Sequence, residues 1–189
     1  MTDFPHLFPR RAVPPLRVDL ASGGTFDLAR EKPAQFTLLV FYRGLHCPIC
    51  KTQLRDLEAK LDEFDKRGVA VVAVSSDTKE RATQTMDGWG LTRLRLGYGL
   101  DLAAARRWGL FISSGRGMTS VGVEEPALFS EPGLYLIRPD GTLYFGSVQT
   151  MPFARPHFAD ILAAIDYVLK NNYPARGEVM DLSEAAPAA

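Results

Sequence analysis

Apolar and polar residues alternate along the chain in patterns that predict both strands and helices. Residues 36–42 form a short apolar run rich in β-branched and aromatic side chains, which predicts a buried strand. From Leu54 to Phe64 apolar residues recur at intervals of three and four, which predicts an amphipathic helix that ends at Gly68. The strand therefore leads into the helix across a short connection at residues 43–46.

The same reasoning predicts the remaining elements. The proline-bearing start of the chain, residues 1–13, predicts an extended arm. Residues 111–133 show no clear period and predict an irregular loop, a kind of segment that is often functional. The other predicted elements are a hairpin at residues 16–20 and 25–28, a buried strand at 69–74, a helix at 78–88 capped by Asp77 with Glu80 completing the capping box, a strand at 94–96, a helix at 102–108, a hairpin at 134–137 and 142–145, and a helix at 155–171.

The order of these elements defines the expected fold class. Strands that alternate with helices, followed by a hairpin and a last helix, predict an α/β fold with a mixed central sheet flanked by helices on both faces. The first hairpin would form an N-terminal β-hairpin extension. A length of 189 residues predicts one domain, which we place at residues 14–175, with a mobile C-terminal tail at 176–189.

Composition narrows the classes of partner. The 22 basic and 22 acidic residues leave a formal net charge of zero, which argues against a nucleic-acid-binding surface and a polybasic membrane anchor. The start of the chain lacks the apolar segment of a secretory signal, and no apolar run is long enough to span a bilayer. We therefore expect a cytoplasmic protein that acts on a small molecule or another protein.

The two cysteines, Cys47 and Cys50, are the strongest functional signal in the chain. They form a C-x-x-C pair where the predicted strand turns into the predicted helix, so that Cys47 lies at the helix N-terminus and Cys50 about one turn further in. Unpaired N–H groups at a helix start stabilise a thiolate, and cysteines in this position have pKa values of roughly 3.5–7.5, against about 8.5 for a free thiol. Pro48 suits the first helical turn, where its missing N–H leaves no vacant hydrogen bond.

This placement predicts a redox role for the pair. We expect Cys47 to attack and Cys50 to resolve the oxidised product within the chain. Arg43, and His46 if it is protonated, would lower the pKa of Cys47 further. The interpretation requires the two sulfur atoms to lie on the same side of the molecule and at least one to be reachable from solvent.

Other readings of these residues stay open. The cysteines could be two buried thiols that pack as small apolar groups. A zinc site is disfavoured because it needs about four ligands, and the chain offers only the two cysteines and three histidines. His46 could shape the connection rather than transfer a proton, and Arg43 could equally be an ion-pairing surface residue. The whole chain could also be a catalytically silent module that binds a partner protein through residues 111–133 or the arm.

The cysteine segment and two later ones carry a family resemblance. Residues 39–50 read L-V-F-Y-R-G-L-H-C-P-I-C, residues 74–77 read V-S-S-D, and residues 135–145 read Y-L-I-R-P-D-G-T-L-Y-F. Together with the order of elements, they resemble the alkyl hydroperoxide reductase/thiol-specific antioxidant (AhpC/TSA) family, the peroxiredoxin-like branch of the thioredoxin fold. The segment at residues 151–156 and the helix after it are similar to members of this branch that carry F-Y-R-G-x-x-C-P-x-C.

The resemblance implies a function and partners. Cys47 matches the peroxidatic cysteine, Cys50 matches the second cysteine of thioredoxin-like members, and Pro132 aligns with the cis-proline that faces the cysteines in thioredoxins. The expected substrate is a hydroperoxide, or alternatively a disulfide, and the expected reductant is a cellular dithiol or glutathione. No cofactor or metal is expected, and the family allows a homodimer.

Two departures from the family pattern concern the peroxide site. Typical members carry P-x-x-x-T-x-x-C, whereas this chain has Val40 and Gly44 at the proline and threonine positions. The arginine that typical members carry near the later strand is replaced by Pro132 in this chain. Peroxide reduction is therefore the main prediction, and thiol–disulfide exchange is the alternative. Arg43 could substitute for one of the two missing groups, the threonine hydroxyl and the arginine guanidinium.

Overall fold

The computed structural model describes residues 6–181 and 183. The first five residues of the predicted arm, and residues 182 and 184–189 of the predicted tail, lie outside the described residues. The strands are β1 (Arg17–Leu20), β2 (Thr25–Asp27), β3 (Phe36–Phe41), β4 (Val69–Val74), β5 (Leu96–Tyr98), β6 (Ile112–Ser114), β7 (Leu128–Ser130), β8 (Gly133–Ile137) and β9 (Leu143–Val148). The α-helices are α1 (Pro48–Ala59), α2 (Leu61–Asp65), α3 (Lys79–Trp89), α4 (Leu102–Arg107) and α5 (Phe158–Asn171).

Seven strands form one mixed sheet in the order β2-β1-β5-β4-β3-β8-β9. At its centre β3 runs parallel to β4, with Phe36 opposite Val69, and antiparallel to β8, with Leu39 opposite Tyr135. All six residues of β3 are buried, as expected for an apolar run covered on both faces. The predicted α/β fold with a mixed sheet is therefore confirmed, and so are the β1–β2 and β8–β9 hairpins.

Alternation along β3 divides the core into two clusters. Leu38 and Val40 point into the larger cluster, where residues of α1, α2, α3 and α5 pack. Leu39 and Phe41 point to the opposite face, where Trp108 and a buried alanine of α4 pack with the first hairpin. The sheet is thus covered by helices on both faces, and its central strand contributes to both clusters.

The helix predicted to run to Gly68 is interrupted. Its apolar period continues, but the backbone leaves the helical conformation at Lys60, whose N–H bonds to the carbonyl of Leu57 in a tighter turn. A second short helix, α2, follows. Gly68 does adopt a left-handed conformation, with φ of +69°, and ends the turn that leads into β4.

Residues 111–133 are not an irregular loop throughout, which corrects the sequence-based prediction. Strands β6 and β7 pair antiparallel, with Ser113 opposite Phe129, and form a separate two-stranded ribbon. Each strand has three residues, too few to show a period of two in the sequence.

Three boundaries also differ. Helix α5 begins at Phe158 rather than at residue 155, because the residue before Pro156 is disfavoured in a helix. Helix α3 is capped by Thr78, and β5 lies two residues later than predicted.

The described part of the arm lies against the β8–β9 hairpin. It is not extended throughout, because residues 8–11 form a turn in which the Arg11 N–H donates to the carbonyl of Phe8 and Arg10 has a φ of +65°. The Arg10 N–H donates to the carbonyl of Leu143, and the Leu143 N–H donates to Arg11. The described start of the tail contacts the arm, because Glu178 pairs with Arg10 at 3.1 Å. Arg10 also donates to the carbonyl of Ala175, the last residue of the predicted domain, at 3.0 Å. Mobility of the rest of the tail stays a prediction. Within residues 6–181, no helix combines the length and apolar character needed to cross a membrane.

Candidate active site

Cys47 lies at the end of the connection between β3 and α1, as the sequence predicts. It is the N-cap of α1, with an extended backbone, and its Sγ accepts a hydrogen bond from the Cys50 N–H at 3.2 Å. Pro48 occupies the first turn, where no intrahelical donor is needed. The helix start therefore directs a backbone N–H at the Cys47 sulfur.

The two thiols are free and their sulfur atoms lie 2.6 Å apart. The Cys50 thiol donates to Cys47, and this is the main cause that lowers the pKa of Cys47 to about 6, against the opposing effect of burial. The charge of Arg155, the Cys50 N–H and the charge of Arg43 lower it further. Burial, and the donation of its proton to Cys47, raise the pKa of Cys50 well above its ordinary value. Near neutral pH, Cys47 is the anionic member of the pair.

Arg155 is the site residue that sequence reasoning missed. Its Nη2 lies 3.2 Å from the Cys50 sulfur and 3.7 Å from the Cys47 sulfur, while Nη1 donates to the Gln53 side chain. Arg155 is 105 positions away from Cys50 along the chain, so no local pattern links them. The only signal was the family-like segment at residues 151–156, in which the arginine was not singled out.

The sulfurs are less accessible than expected. Cys47 is 1% exposed and Cys50 is fully buried, although both lie on the same side of the sheet and in contact. The condition that one sulfur be reachable from solvent is therefore not met by direct exposure, and the cavity beside Cys47 is the route by which it is met. Cys47 does line a cavity of about 230 Å³, together with Trp89, Val121 and Val123, so a small molecule has a binding space next to the sulfur.

Arg43 does not contact either sulfur. It lies between two carboxylates, 3.3 Å from Glu125 through Nη2 and 3.3 Å from Glu131 through Nε, and its guanidinium lies 4.7 Å from the centre of the Phe129 ring. These partners lie in or beside the β6–β7 ribbon. Arg43 therefore links the ribbon, through ion pairs and a ring contact, to the connection before Cys47. Its charge contributes to the low pKa of Cys47 from a distance.

His46 is buried and uncharged near neutral pH. Burial, with the nearby charges of Arg43 and Arg81, lowers its pKa to about 4. Its ring packs against Phe129 with centroids 4.6 Å apart. The condition under which His46 would lower the pKa of Cys47, a protonated ring, is therefore not met near neutral pH.

Asp77 has a different role from the predicted helix cap. Its carboxylate accepts from the Leu45 N–H at 2.7 Å and from Arg81 Nε at 2.8 Å, and thereby fixes the connection before Cys47. Gly44 packs directly on this carboxylate, since a Cβ atom there would come within 2.6 Å of Asp77 Oδ2. The absence of the family's threonine at position 44 thus has a structural cause.

The peptide bond before Pro132, whose conformation the resemblance left open, is trans. No cis bond occurs among the described residues. Pro132 directly precedes β8, and its carbonyl accepts from the Gln149 N–H at 3.0 Å. Its alignment with the cis-proline of thioredoxins therefore does not extend to the conformation of this bond.

Histidine and acidic residues do not gather around the pair as metal ligands would. Throughout residues 6–181 and at residue 183, no three histidine, cysteine, aspartate or glutamate side chains are arranged to hold a metal ion. The site consists of two thiols and an arginine.

The fold and the site together define a class. The central strand of a mixed sheet leads into a helix that starts with a C-x-x-C pair, and one thiol of the pair has a lowered pKa, as in thioredoxin-fold thiol proteins. Within this class the chain belongs to the AhpC/TSA family, whose sequence model matches residues 9–145. The AhpC/TSA family is a family of thiol peroxidases, and the chain is therefore a thiol peroxidase. No curated protein gives a significant match.

Several solved structures share the fold. Peroxidoxin BcpB from Mycobacterium tuberculosis superposes with a TM-score of 0.67 at 16% identity, covering 86% of this chain and 99% of that chain. AhpC from Enterococcus faecalis gives 0.68 at 13% identity, with 89% and 98% covered. The bacterioferritin comigratory protein of Xanthomonas campestris, described for its alkyl peroxide reduction activity, gives 0.63 at 23% identity, with 80% and 90% covered. At these identities the similarity is one of fold.

Proposed function

We propose that the chain reduces hydroperoxides through Cys47 and that Cys50 resolves the product to an intramolecular disulfide. The observation that carries this proposal is the environment of the Cys47 sulfur. It accepts hydrogen bonds from the Cys50 N–H and thiol and lies beside the Arg155 guanidinium. These groups favour the thiolate, which is the nucleophile in thiol chemistry.

In the first step the Cys47 thiolate attacks the terminal oxygen of the hydroperoxide. The O–O bond breaks, an S–O bond forms, and the alkoxide leaves and takes up a proton to give an alcohol, or water from hydrogen peroxide. Cys47 becomes a sulfenic acid. Arg155 is the cation nearest to the sulfur, so it is placed to stabilise the negative charge that moves to the leaving oxygen.

In the second step Cys50 attacks the Cys47 sulfenic acid. An S–S bond forms and water leaves, so that the two thiols together have given two electrons to the peroxide. Cys50 needs little movement because its sulfur already lies 2.6 Å from that of Cys47, compared with about 2.05 Å in a disulfide. A cellular dithiol, or two molecules of glutathione, would then reduce the disulfide by exchange.

Peroxide turnover with an external thiol tests this assignment. We expect wild-type protein and Cys50→Ser to consume hydrogen peroxide when dithiothreitol is supplied, because the external thiol can resolve the sulfenic acid. Cys47→Ser should be inactive. Equal activity of Cys47→Ser and wild type would exclude Cys47 as the attacking group, and no consumption by any form would favour the silent interaction module.

The C-x-x-C spacing favours a second candidate, thiol–disulfide exchange with protein substrates. The two sulfurs are in contact, and position 44 cannot carry the hydroxyl that typical peroxidatic sites use. Insulin reduction separates the two functions. A disulfide reductase would lose activity in both single variants, because Cys50 is needed to release the substrate from the mixed disulfide on Cys47.

A further inference from the structure

The cavity beside Cys47 is the space through which a molecule from solvent reaches the sulfur, and we name it the Cys47 cavity. Apart from the cysteine, its lining side chains are apolar except for Lys51 of α1 and Gln84 of α3. The apolar lining includes Trp89 of α3 and two valines of residues 115–127, the segment that joins β6 to β7. Its volume of about 230 Å³ exceeds the roughly 150 Å³ of a cavity that binds benzene, so it can hold a small organic group.

Residues 115–127 are held in place as a wall of this cavity. The Glu125 carboxylate pairs with Arg43 at 3.3 Å, and the carbonyl of Glu124 accepts a hydrogen bond from Arg81 at 3.3 Å. The segment is therefore attached both to the connection before α1 and to α3. The cavity is formed before any ligand arrives, as is usual for small-molecule sites.

Lys51 gives the lining of the Cys47 cavity a positive charge. It follows Cys47 by four positions, so the two residues lie on the same face of α1, and a helical side chain leans toward the helix N-terminus. Among the described residues, the Lys51 ammonium has neither an ion pair nor a hydrogen bond, and no carboxylate lines the cavity with it. Lys66, by contrast, pairs with Glu63 at 3.4 Å. An unpaired cation in an apolar cavity favours a ligand that carries a carboxylate.

Gly88 of α3 enlarges the Cys47 cavity. It lies within a helix, where glycine is less stable than alanine, and its backbone φ is not in the left-handed region that favours glycine. A Cβ atom at this position would meet no atom within 4 Å, so no clash within the described structure requires a glycine. The missing side chain instead leaves space in the cavity.

We propose that the Cys47 cavity binds small apolar or aromatic molecules that carry a carboxylate, and that Lys51 selects them through this charge. The apolar body of the ligand packs against Trp89, and the carboxylate pairs with Lys51 and accepts a hydrogen bond from the Gln84 amide. Where the inference concerns turnover it rests on the proposed function, because the substrate is then an organic hydroperoxide with a carboxylate and its terminal oxygen lies at the Cys47 sulfur.

Alkylation of Cys47 tests this selectivity without relying on peroxidase activity. Iodoacetate and iodoacetamide react in the same way, since the thiolate displaces iodide from the same carbon, but only iodoacetate carries a carboxylate. Both reactions use the same thiolate, so the ratio of their rate constants does not depend on the pKa of Cys47. We expect the ratio of iodoacetate to iodoacetamide to fall by about three- to ten-fold in Lys51→Gln, as for the loss of one partly shielded ion pair. Lys66→Gln, which removes the same charge outside the cavity, should keep the wild-type ratio.

Protection by benzoate tests the binding space itself. Benzoate has an aromatic body and a carboxylate but no reactive group, so at millimolar concentration it should slow the reaction of Cys47 with iodoacetamide. Benzyl alcohol, which lacks the charge, should protect much less. In Gly88→Leu the new side chain occupies the cavity, so protection by benzoate should disappear while far-ultraviolet circular dichroism shows an intact fold.

Two hydroperoxides of the same shape connect the site to the proposed reaction. We expect wild-type protein to have a higher kcat/KM for 4-carboxycumene hydroperoxide than for cumene hydroperoxide, and Lys51→Gln to lose this preference.

An alkylation ratio that is unchanged in Lys51→Gln would overturn the proposal, as would protection by benzoate that persists in Gly88→Leu. If benzoate protects Cys47 as expected but neither hydroperoxide is reduced, the peroxidase function is refuted and the carboxylate site is supported. If both hydroperoxides are reduced at equal rates and benzoate gives no protection, the peroxidase function is supported and the site is refuted.

Discussion

At the scale of single residues, the site is governed by which sulfur carries the negative charge. Hydrogen bonds to its sulfur lower the pKa of Cys47, whereas burial and the hydrogen bond that it donates raise the pKa of Cys50. Two identical side chains three positions apart therefore shift in opposite directions. The lower pKa supports the proposed role of Cys47 as the nucleophile, and the raised pKa of Cys50 keeps that thiol protonated near neutral pH.

The pH dependence of the reaction follows from this assignment. We expect the rate of thiol loss with hydrogen peroxide to rise with pH through about 6 and then to level off, because the pKa of Cys47 lies near 6. Since this pKa is lowered on folding, the thiolate also stabilises the folded state above the ordinary thiol pKa. That contribution falls away as the pH drops through the folded value near 6.

Stopped-flow measurement of thiol loss across the pH range provides the check. Arg155→Gln should move the midpoint upward, because the charge of Arg155 is one of the causes of the low pKa. A wild-type midpoint at the ordinary thiol value would contradict the proposed environment of Cys47.

Gly44 gives a second residue-scale prediction. Gly44→Ala should destabilise the protein by about 2–4 kcal/mol, because the new Cβ would lie 2.6 Å from Asp77 Oδ2 and the backbone φ is +130°. Gly24→Ala is the matched control, with φ of +78° and no atom within 4 Å of the new Cβ, so that only the conformational cost remains. Urea unfolding compares the two, and equal losses would show that the Asp77 contact does not constrain position 44.

At the scale of elements, the β6–β7 ribbon acts as a brace for the cysteine connection. Glu131, which follows β7, accepts from Ser113 of β6 at 2.6 Å and pairs with Arg43, while Arg81 of α3 reaches the carbonyl of Glu124. These polar contacts add to the packing of the fully buried Phe129 of β7 against the His46 ring.

Removing one charge of this brace tests its contribution. Glu131→Gln should lower the free energy of unfolding by about 1–3 kcal/mol, because Glu131 is 3% exposed and its loss leaves Arg43 with Glu125 alone. Glu178→Gln, at a solvent-screened pair with Arg10, should change it much less than Glu131→Gln does. Similar losses in the two variants, measured by urea unfolding, would contradict a bracing role for the ribbon.

The elements also show what a sequence can predict. The strands β3 and β4 and the helix start at Cys47 were predicted because apolar runs and a C-x-x-C pair are local signals. The ribbon, the break at Lys60 and the contact of Arg155 with the two sulfurs were not, because each depends on partners distant in sequence or on backbone turns without a periodic pattern. The charge of His46 could not be predicted for the same reason, since its pKa depends on burial and on the charges of Arg43 and Arg81.

At the scale of the whole molecule, β3 joins two core clusters into one unit. Trp89 packs in the larger cluster and Trp108 in the smaller, and alternate residues of β3 belong to each. A fold in which both clusters share a strand should unfold in one cooperative step.

The two tryptophans make this prediction measurable. In Trp89→Phe and Trp108→Phe, the fluorescence of the remaining tryptophan should follow the same unfolding midpoint as far-ultraviolet circular dichroism of the same variant. Leu54→Ala, at a fully buried position of the larger cluster, should lower the midpoint seen by both probes, at a cost of about 2–5 kcal/mol. A shift seen by the Trp89 signal alone would show that the clusters unfold separately.

The central claim is that Cys47 is oxidised by hydroperoxide and that Cys50 traps the product. Its most direct test is the intact mass of reduced protein treated with one equivalent of hydrogen peroxide, followed by peptide mapping. The account predicts rapid loss of two hydrogens as a disulfide between Cys47 and Cys50, and a sulfenic acid on Cys47 in Cys50→Ser. Unchanged thiols in wild-type protein, or a sulfenic acid on Cys50 in Cys47→Ser that forms as fast, would contradict it.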